Sequence, residues 1–145
     1  MLVENGSFIL ALNGARMALY QNLGKALHVD LELLEQDQNL VPEMAELGRD
    51  RPGRTFYSKS SKRSGYEATD LQSQEEERFI KQSISRLEEL AVKAQKPAII
   101  LAPPEALGFA RKYYSPALRK LIDEEIYRDY ATKPASEISA FLAEY

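Results

Sequence analysis

Asn13-Gly14 stands between two apolar runs, Ser7-Phe8-Ile9-Leu10-Ala11-Leu12 and Ala15-Arg16-Met17-Ala18-Leu19-Tyr20. Asn-Gly is the dipeptide that best tolerates positive φ at both centres of a type I′ turn, so this arrangement predicts a β-hairpin. Its first strand has no polar alternation and reads as buried on both faces. A chain with such a strand must supply covering layers on two sides.

The remainder of the chain supplies those layers. After Gly24, Leu27, Val29, Leu31 and Leu33 alternate with His28, Asp30 and Glu32, a period of two that predicts a third, half-exposed strand. Thr69-Asp70-Leu71-Gln72 has the form of a capping box. Behind it Leu71, Phe79, Ile80, Ile84, Leu87, Leu90, Ala91 and Ala94 recur at helical spacing, predicting a helix over about 70–95. The helix must end before Lys96-Pro97, because the residue ahead of a proline is pushed out of the α region. Ala98-Ile99-Ile100-Leu101-Ala102 reads as a central parallel strand. Pro104 and Pro116 suit the first turns of two short helices. Residues 121–130 fit either helix or edge strand by pattern, and topology favours the strand. Lys133-Pro134 opens a last helix carrying Ile138, Phe141 and Leu142.

The order β-β-β-loop-α-β-α-β-α predicts an α/β fold: a mixed five-stranded sheet, three antiparallel strands followed by βαβ units, flanked by helices. At 145 residues the expectation is one domain over 1–145. The sequence has no cysteine, so disulfides and thiolate chemistry are excluded. The N-terminal residues lack the basic start and long apolar core of a signal peptide, and no window approaches the roughly 20 apolar residues of a membrane span. A cytoplasmic location is the resulting expectation.

Charge is the other informative quantity. The chain carries −3 overall, which argues against general affinity for nucleic acid. Yet Arg49, Arg51, Arg54, Lys59, Lys62 and Arg63 face only Asp50 over residues 49–63, a local +5 that leaves −8 elsewhere. These residues lie in a long interruption, about 39–69, punctuated by Pro42, Gly48, Pro52, Gly53 and Gly65. Such a loop inside a compact domain is uncommon and is usually functional or disordered. Phe56 and Tyr57, with Tyr66 further on, sit among the charges where they could stack on unpaired bases. Arg49, Arg51, Arg54, Phe56, Tyr57, Lys59, Lys62 and Arg63 are therefore the expected binding residues, for RNA or for an acidic protein partner.

No catalytic, metal or cofactor site is expected. Metal-dependent nuclease chemistry needs several carboxylates converging on a divalent ion. The first strand ends in Asn13 and the central strand carries no acid, while Asp123-Glu124-Glu125 reads as a solvated face. His28 is the only histidine and falls on the polar side of the third strand, and no nucleophile motif or phosphate-binding glycine loop is present. Glu75-Glu76-Glu77 reads as acid near a helix N-terminus, favoured by the macrodipole.

Four segments taken together resemble the bacterial host-attachment protein family: Leu12-Asn13-Gly14-Ala15-Arg16, Gly48-Arg49-Asp50-Arg51-Pro52-Gly53-Arg54, Glu75-Glu76-Glu77-Arg78-Phe79, and Leu101-Ala102-Pro103-Pro104-Glu105-Ala106-Leu107-Gly108. The resemblance implies a role in bacterial attachment to host cells. It also implies a fold similar to the middle domain of peptide release factors and to ribosomal proteins of the S11 and L18 type. In release factors the corresponding loop presents Gly-Gly-Gln to the peptidyl-transferase centre. Here that tripeptide is absent and Arg51-Pro52-Gly53-Arg54 stands in the loop. The implied function is thus a non-enzymatic module contacting RNA or the ribosome, with a protein–protein module in attachment as the alternative.

Overall fold

A computed structural model describes residues 1–40 and 61–145, the stretch 61–69 by its backbone. Five strands form one mixed sheet in the order β3-β2-β1-β4-β5. They are β1 (Phe8–Leu12), β2 (Arg16–Asn22), β3 (Leu31–Gln38), β4 (Ala98–Ala102) and β5 (Ile122–Tyr127). β1 pairs antiparallel with β2 and parallel with β4, and β5 adds to β4 in parallel. The described helices are α1 (Ser61–Ala94), α2 (Pro104–Arg111), α3 (Pro116–Leu121) and α4 (Ala135–Glu144). This is the mixed five-stranded α/β architecture expected from the pattern, with residues 122–127 resolved in favour of strand.

All five side chains of β1 and all five of β4 are buried, because these neighbours occupy the middle of the sheet. Phe8, Leu10 and Leu12 point to one face, where they join Met17 and Leu19 of β2, Ile100 of β4, and Phe79, Ile80, Ile84, Leu87 and Ala91 of α1. Leu107 of α2 and Leu118 of α3 complete that layer. Ile9, Ala11, Ile99 and Leu101 point to the other face, which Ile138 and Leu142 of α4 cover together with Val3. Each fully buried aliphatic side chain contributes about 1.5–3 kcal/mol over its exposed state.

Three local readings are corrected. The turn after β1 is not type I′. Among the described residues only Gly6 and Gln95 have positive φ, so Asn13 and Gly14 do not. Instead the Asn13 side-chain oxygen accepts from the backbone N–H groups of Ala15 (2.8 Å) and Arg16 (2.7 Å), an Asx turn that closes a three-residue connection. The third strand begins at Leu31 rather than near Leu27. The buried Asn22 side-chain oxygen accepts from Gly24 N and Asp30 N, both at 2.9 Å, and so pinches residues 24–30 off as a loop. His28 consequently sits in a tight turn, exchanging backbone hydrogen bonds with Lys25, and not on a strand. A bulge then leaves Leu34 unpaired between Leu33, opposite Tyr20, and Glu35, opposite Leu19. Leu31 packs on the α4 face and Leu34 on the α1 face.

The third correction concerns α1, which begins at Ser61 and not near Asp70. The Thr69–Gln72 capping box therefore lies inside the helix, and the last third of the expected loop is helical. At its other end α1 closes with Gln95 at φ 53°, where Lys96 N bonds to Ala91 O (3.2 Å) and Gln95 N to Val92 O (3.3 Å). This is a Schellman closure with glutamine in the position glycine usually takes. Ser115 caps α3 by accepting from Leu118 N at 3.0 Å.

Candidate functional site

The connections at one end of the sheet converge. β1, β4 and β5 run parallel, and β3 runs the same way because two antiparallel pairings separate it from β1. The carboxyl ends of these strands therefore share one edge, the edge at which open α/β sheets place their ligands. There the β1–β2 turn, the end of β3, the β4–α2 turn and the segment after β5 meet the middle of α1.

Hydrogen bonds tie this edge together. Asn39, just beyond β3, donates from its backbone to Ala15 O (2.8 Å) and from its side chain to Gly14 O (3.1 Å). Asn13 Nδ2 donates to Asp129 Oδ1 at 3.0 Å, linking the hairpin turn to the segment that follows β5. Arg86 of α1 pairs with Asp37 of β3 at 3.0 Å. Between them lies an open groove of about 520 Å³, lined by Asp37, Gln38, Asn39, Leu40, Arg78, Phe79 and Gln82. The chain leaves the described region beside this groove, after Leu40.

Acid surrounds the edge. The Glu76 carboxylate lies against Gly14, so close that a Cβ added there would stand 2.8 Å from Glu76 Oε2. Partial burial pushes the Glu76 carboxyl above its ordinary value, and the nearby Glu105 charge adds to the rise. Glu75 is paired with Arg78. Glu77 accepts from the Tyr113 hydroxyl and lies 3.7 Å from Lys112 Nζ. Among the described residues no group of three His, Asp or Glu side chains converges with metal-ligand geometry.

Of the expected binding residues, Arg49, Arg51, Arg54, Phe56, Tyr57 and Lys59 lie outside the described residues. Lys62 and Arg63 have their backbone in the first turn of α1, and their side chains lie outside the description. α1 has no acid in that turn. Glu76 is the sixteenth residue of α1, so the helix start lies about 22 Å along its axis from the residue that touches the hairpin. Among the described side chains of α1, residues 70–94, the first buried one is Phe79.

One constellation escaped the sequence reading. Arg111 of α2 makes a bidentate pair with Glu125 of β5, its Nη2 at 2.9 Å from Oε1, and also reaches the Tyr127 hydroxyl at 3.3 Å. The buried Tyr114 donates to Glu125 at 2.7 Å. Burial raises the Glu125 pKa, but the hydrogen bonds from Arg111 and Tyr114 outweigh it and hold the carboxyl below its usual value. Burial and the bond to Glu125 both drive the Tyr114 phenol upward. Asp123-Glu124-Glu125 is thus not uniformly a solvated face, since Glu125 anchors the α2–α3 corner to β5.

Fold and edge together define a mixed α/β domain whose basic insertion departs from the carboxyl edge of its parallel strands. The chain belongs to the family described as "Protein required for attachment to host cells", whose model matches residues 8–142. A search of curated proteins returned no match. No helix among the described residues is long and apolar enough to cross a membrane.

Proposed function

We propose that this member of the host-attachment family is a non-enzymatic binding module whose basic insertion contacts a polyanion, RNA or the ribosome. The observation that carries the reading is the placement of charge. The +5 run of residues 49–63 leads directly into the amino end of a 34-residue helix that has no acid in its first turn. Aligned peptide dipoles make that end positive, and side-chain cations there are unfavourable for the helix itself. Lys62 and Arg63 add to the field instead of cancelling it, an arrangement suited to an anion. The acidic edge around Glu76 and Glu105 keeps the same polyanion from spreading over the domain. Phe56 and Tyr57 supply faces for base stacking.

Ribosome co-sedimentation at low and moderate salt tests this, with wild type beside Arg51→Glu/Arg54→Glu. Six phosphate contacts give a log–log salt slope of about −4 on single-stranded RNA. Salt-sensitive pelleting that the double variant loses supports the reading. Folded wild type that stays in the supernatant at both salts sinks it. The family description favours a second reading, in which the same insertion engages an acidic protein during attachment. Saturable capture of one protein from nuclease-treated lysate, lost in the same variant, would select that reading.

A further inference from the structure

We propose that Tyr127 is a phosphorylation site for a protein-tyrosine kinase that selects acidic residues ahead of its acceptor. The proposal stands independently of any role for the basic insertion. Tyr127 follows Asp123-Glu124-Glu125-Ile126, and no other tyrosine of the eight follows three consecutive acids. Tyr57 and Tyr66 follow basic residues instead, Arg54 and Lys62-Arg63. Tyr20 and Tyr114 are buried, and Tyr113 follows the basic pair Arg111-Lys112. Tyr145, comparably exposed, follows Ala140-Phe141-Leu142-Ala143-Glu144, with a single acid.

The structure presents this segment as a kinase needs it. Kinases bind acceptor segments extended, and residues 122–127 form a strand at the edge of the sheet, paired only with β4 among the described residues. Tyr127 ends that strand with 55 % of its surface exposed, and Asp123 is exposed on the same strand. An acidic edge strand is also a guard against edge-to-edge aggregation. That guard does not require an exposed tyrosine at its end, nor a cation waiting beside the hydroxyl.

Arg111 is that cation. Its Nη2 lies 3.3 Å from the Tyr127 oxygen, and its guanidinium sits 6.0 Å from the ring centroid. In the transfer, the phenolic oxygen bonds to the γ-phosphorus of ATP and the bridging P–O bond breaks. ADP leaves with that electron pair, and the phenolic proton passes to the kinase base. The product brings roughly −1.5 to −2 of charge beside Arg111. Arg111 can then donate charge-assisted hydrogen bonds to phosphate in competition with Glu125, loosening the link between β5 and the α2–α3 corner.

The test treats the full folded chain with Mg·ATP and an acid-directed protein-tyrosine kinase, beside a synthetic peptide of residues 119–130. Cleavage after Lys120 and Arg128 isolates Leu121–Arg128, in which Tyr127 is the only tyrosine. Phosphate on this peptide from the folded chain, absent in Tyr127→Phe and several-fold slower in Asp123→Asn/Glu124→Gln, is the expected result. Modification of the synthetic peptide but not of the chain, or of any other tyrosine in preference, overturns the proposal. A phosphorus NMR titration reads the Arg111 contact: the phosphate's second pKa lies lower in the phosphorylated chain than in the phosphopeptide, and Arg111→Gln abolishes the difference. An unchanged titration in Arg111→Gln removes Arg111 from the account.

Discussion

Two asparagines close turns at opposite ends of the sheet with nearly the same hydrogen bonds. Asn22 accepts from two backbone N–H groups and donates to Val3 O at 2.9 Å. Asn13 accepts from two backbone N–H groups and donates to Asp129. Asn22 is fully buried, whereas the contacts of Asn13 face solvent. The same bonding pattern therefore has different worth. Water replaces a lost partner at Asn13 and cannot do so at Asn22. The amino end of the parallel strands is sealed, and the carboxyl end, where the basic insertion departs, is open.

That contrast can be broken by substitution. The largest effect belongs to Gly24→Ala, because a Cβ there would stand 2.2 Å from the His28 backbone oxygen within a pinched loop. Urea unfolding should show a loss of about 3 kcal/mol. Next comes Asn22→Ala, which strands the buried Val3 carbonyl and two part-buried N–H groups and should cost about 2 kcal/mol in the same assay. Asn13→Ala should cost only about 1 kcal/mol, since its turn is wet. A cost for Asn13→Ala equal to that for Asn22→Ala would show that burial does not separate the two ends.

Gly14→Ala sharpens the point, as the three atoms nearest its Cβ would all belong to the flexible Glu76 side chain, the closest at 2.8 Å. Its loss should stay below about 1 kcal/mol and shrink further in a Glu76→Ser background. The smallest effect is a gain. Glu76 titrates above its ordinary value, so the fold favours its protonated form and bears a cost once it ionises. Glu76→Gln should therefore stabilise the protein at neutral pH by a few tenths of a kcal/mol, about what a partly solvated charge allows. The gain should fade as pH drops through the raised Glu76 pKa, and thermal melts across that range check the sign. A gain that grew toward acid pH would contradict the assignment.

The elements built from contiguous pattern were legible in the sequence. β1 and β4 announce themselves as unbroken apolar runs, and the stripe from Phe79 to Ala91 marks where α1 packs on the sheet. Its first turns were hidden, because residues 61–70 have no apolar stripe and contain Gly65. The charges of residues 49–63 are likewise neighbours along the chain, so that run can be read from the sequence alone.

What the tertiary structure alone decided are the partnerships between distant residues. Asn22 reaching Asp30 moved the start of β3, and Arg111 meeting Glu125 and Tyr127 turned an acidic run into an anchored edge. Periodicity reports which side of an element avoids water. It carries no record of which polar group will find which, because those choices are made across the sheet once desolvation leaves each buried donor or acceptor in need of a partner.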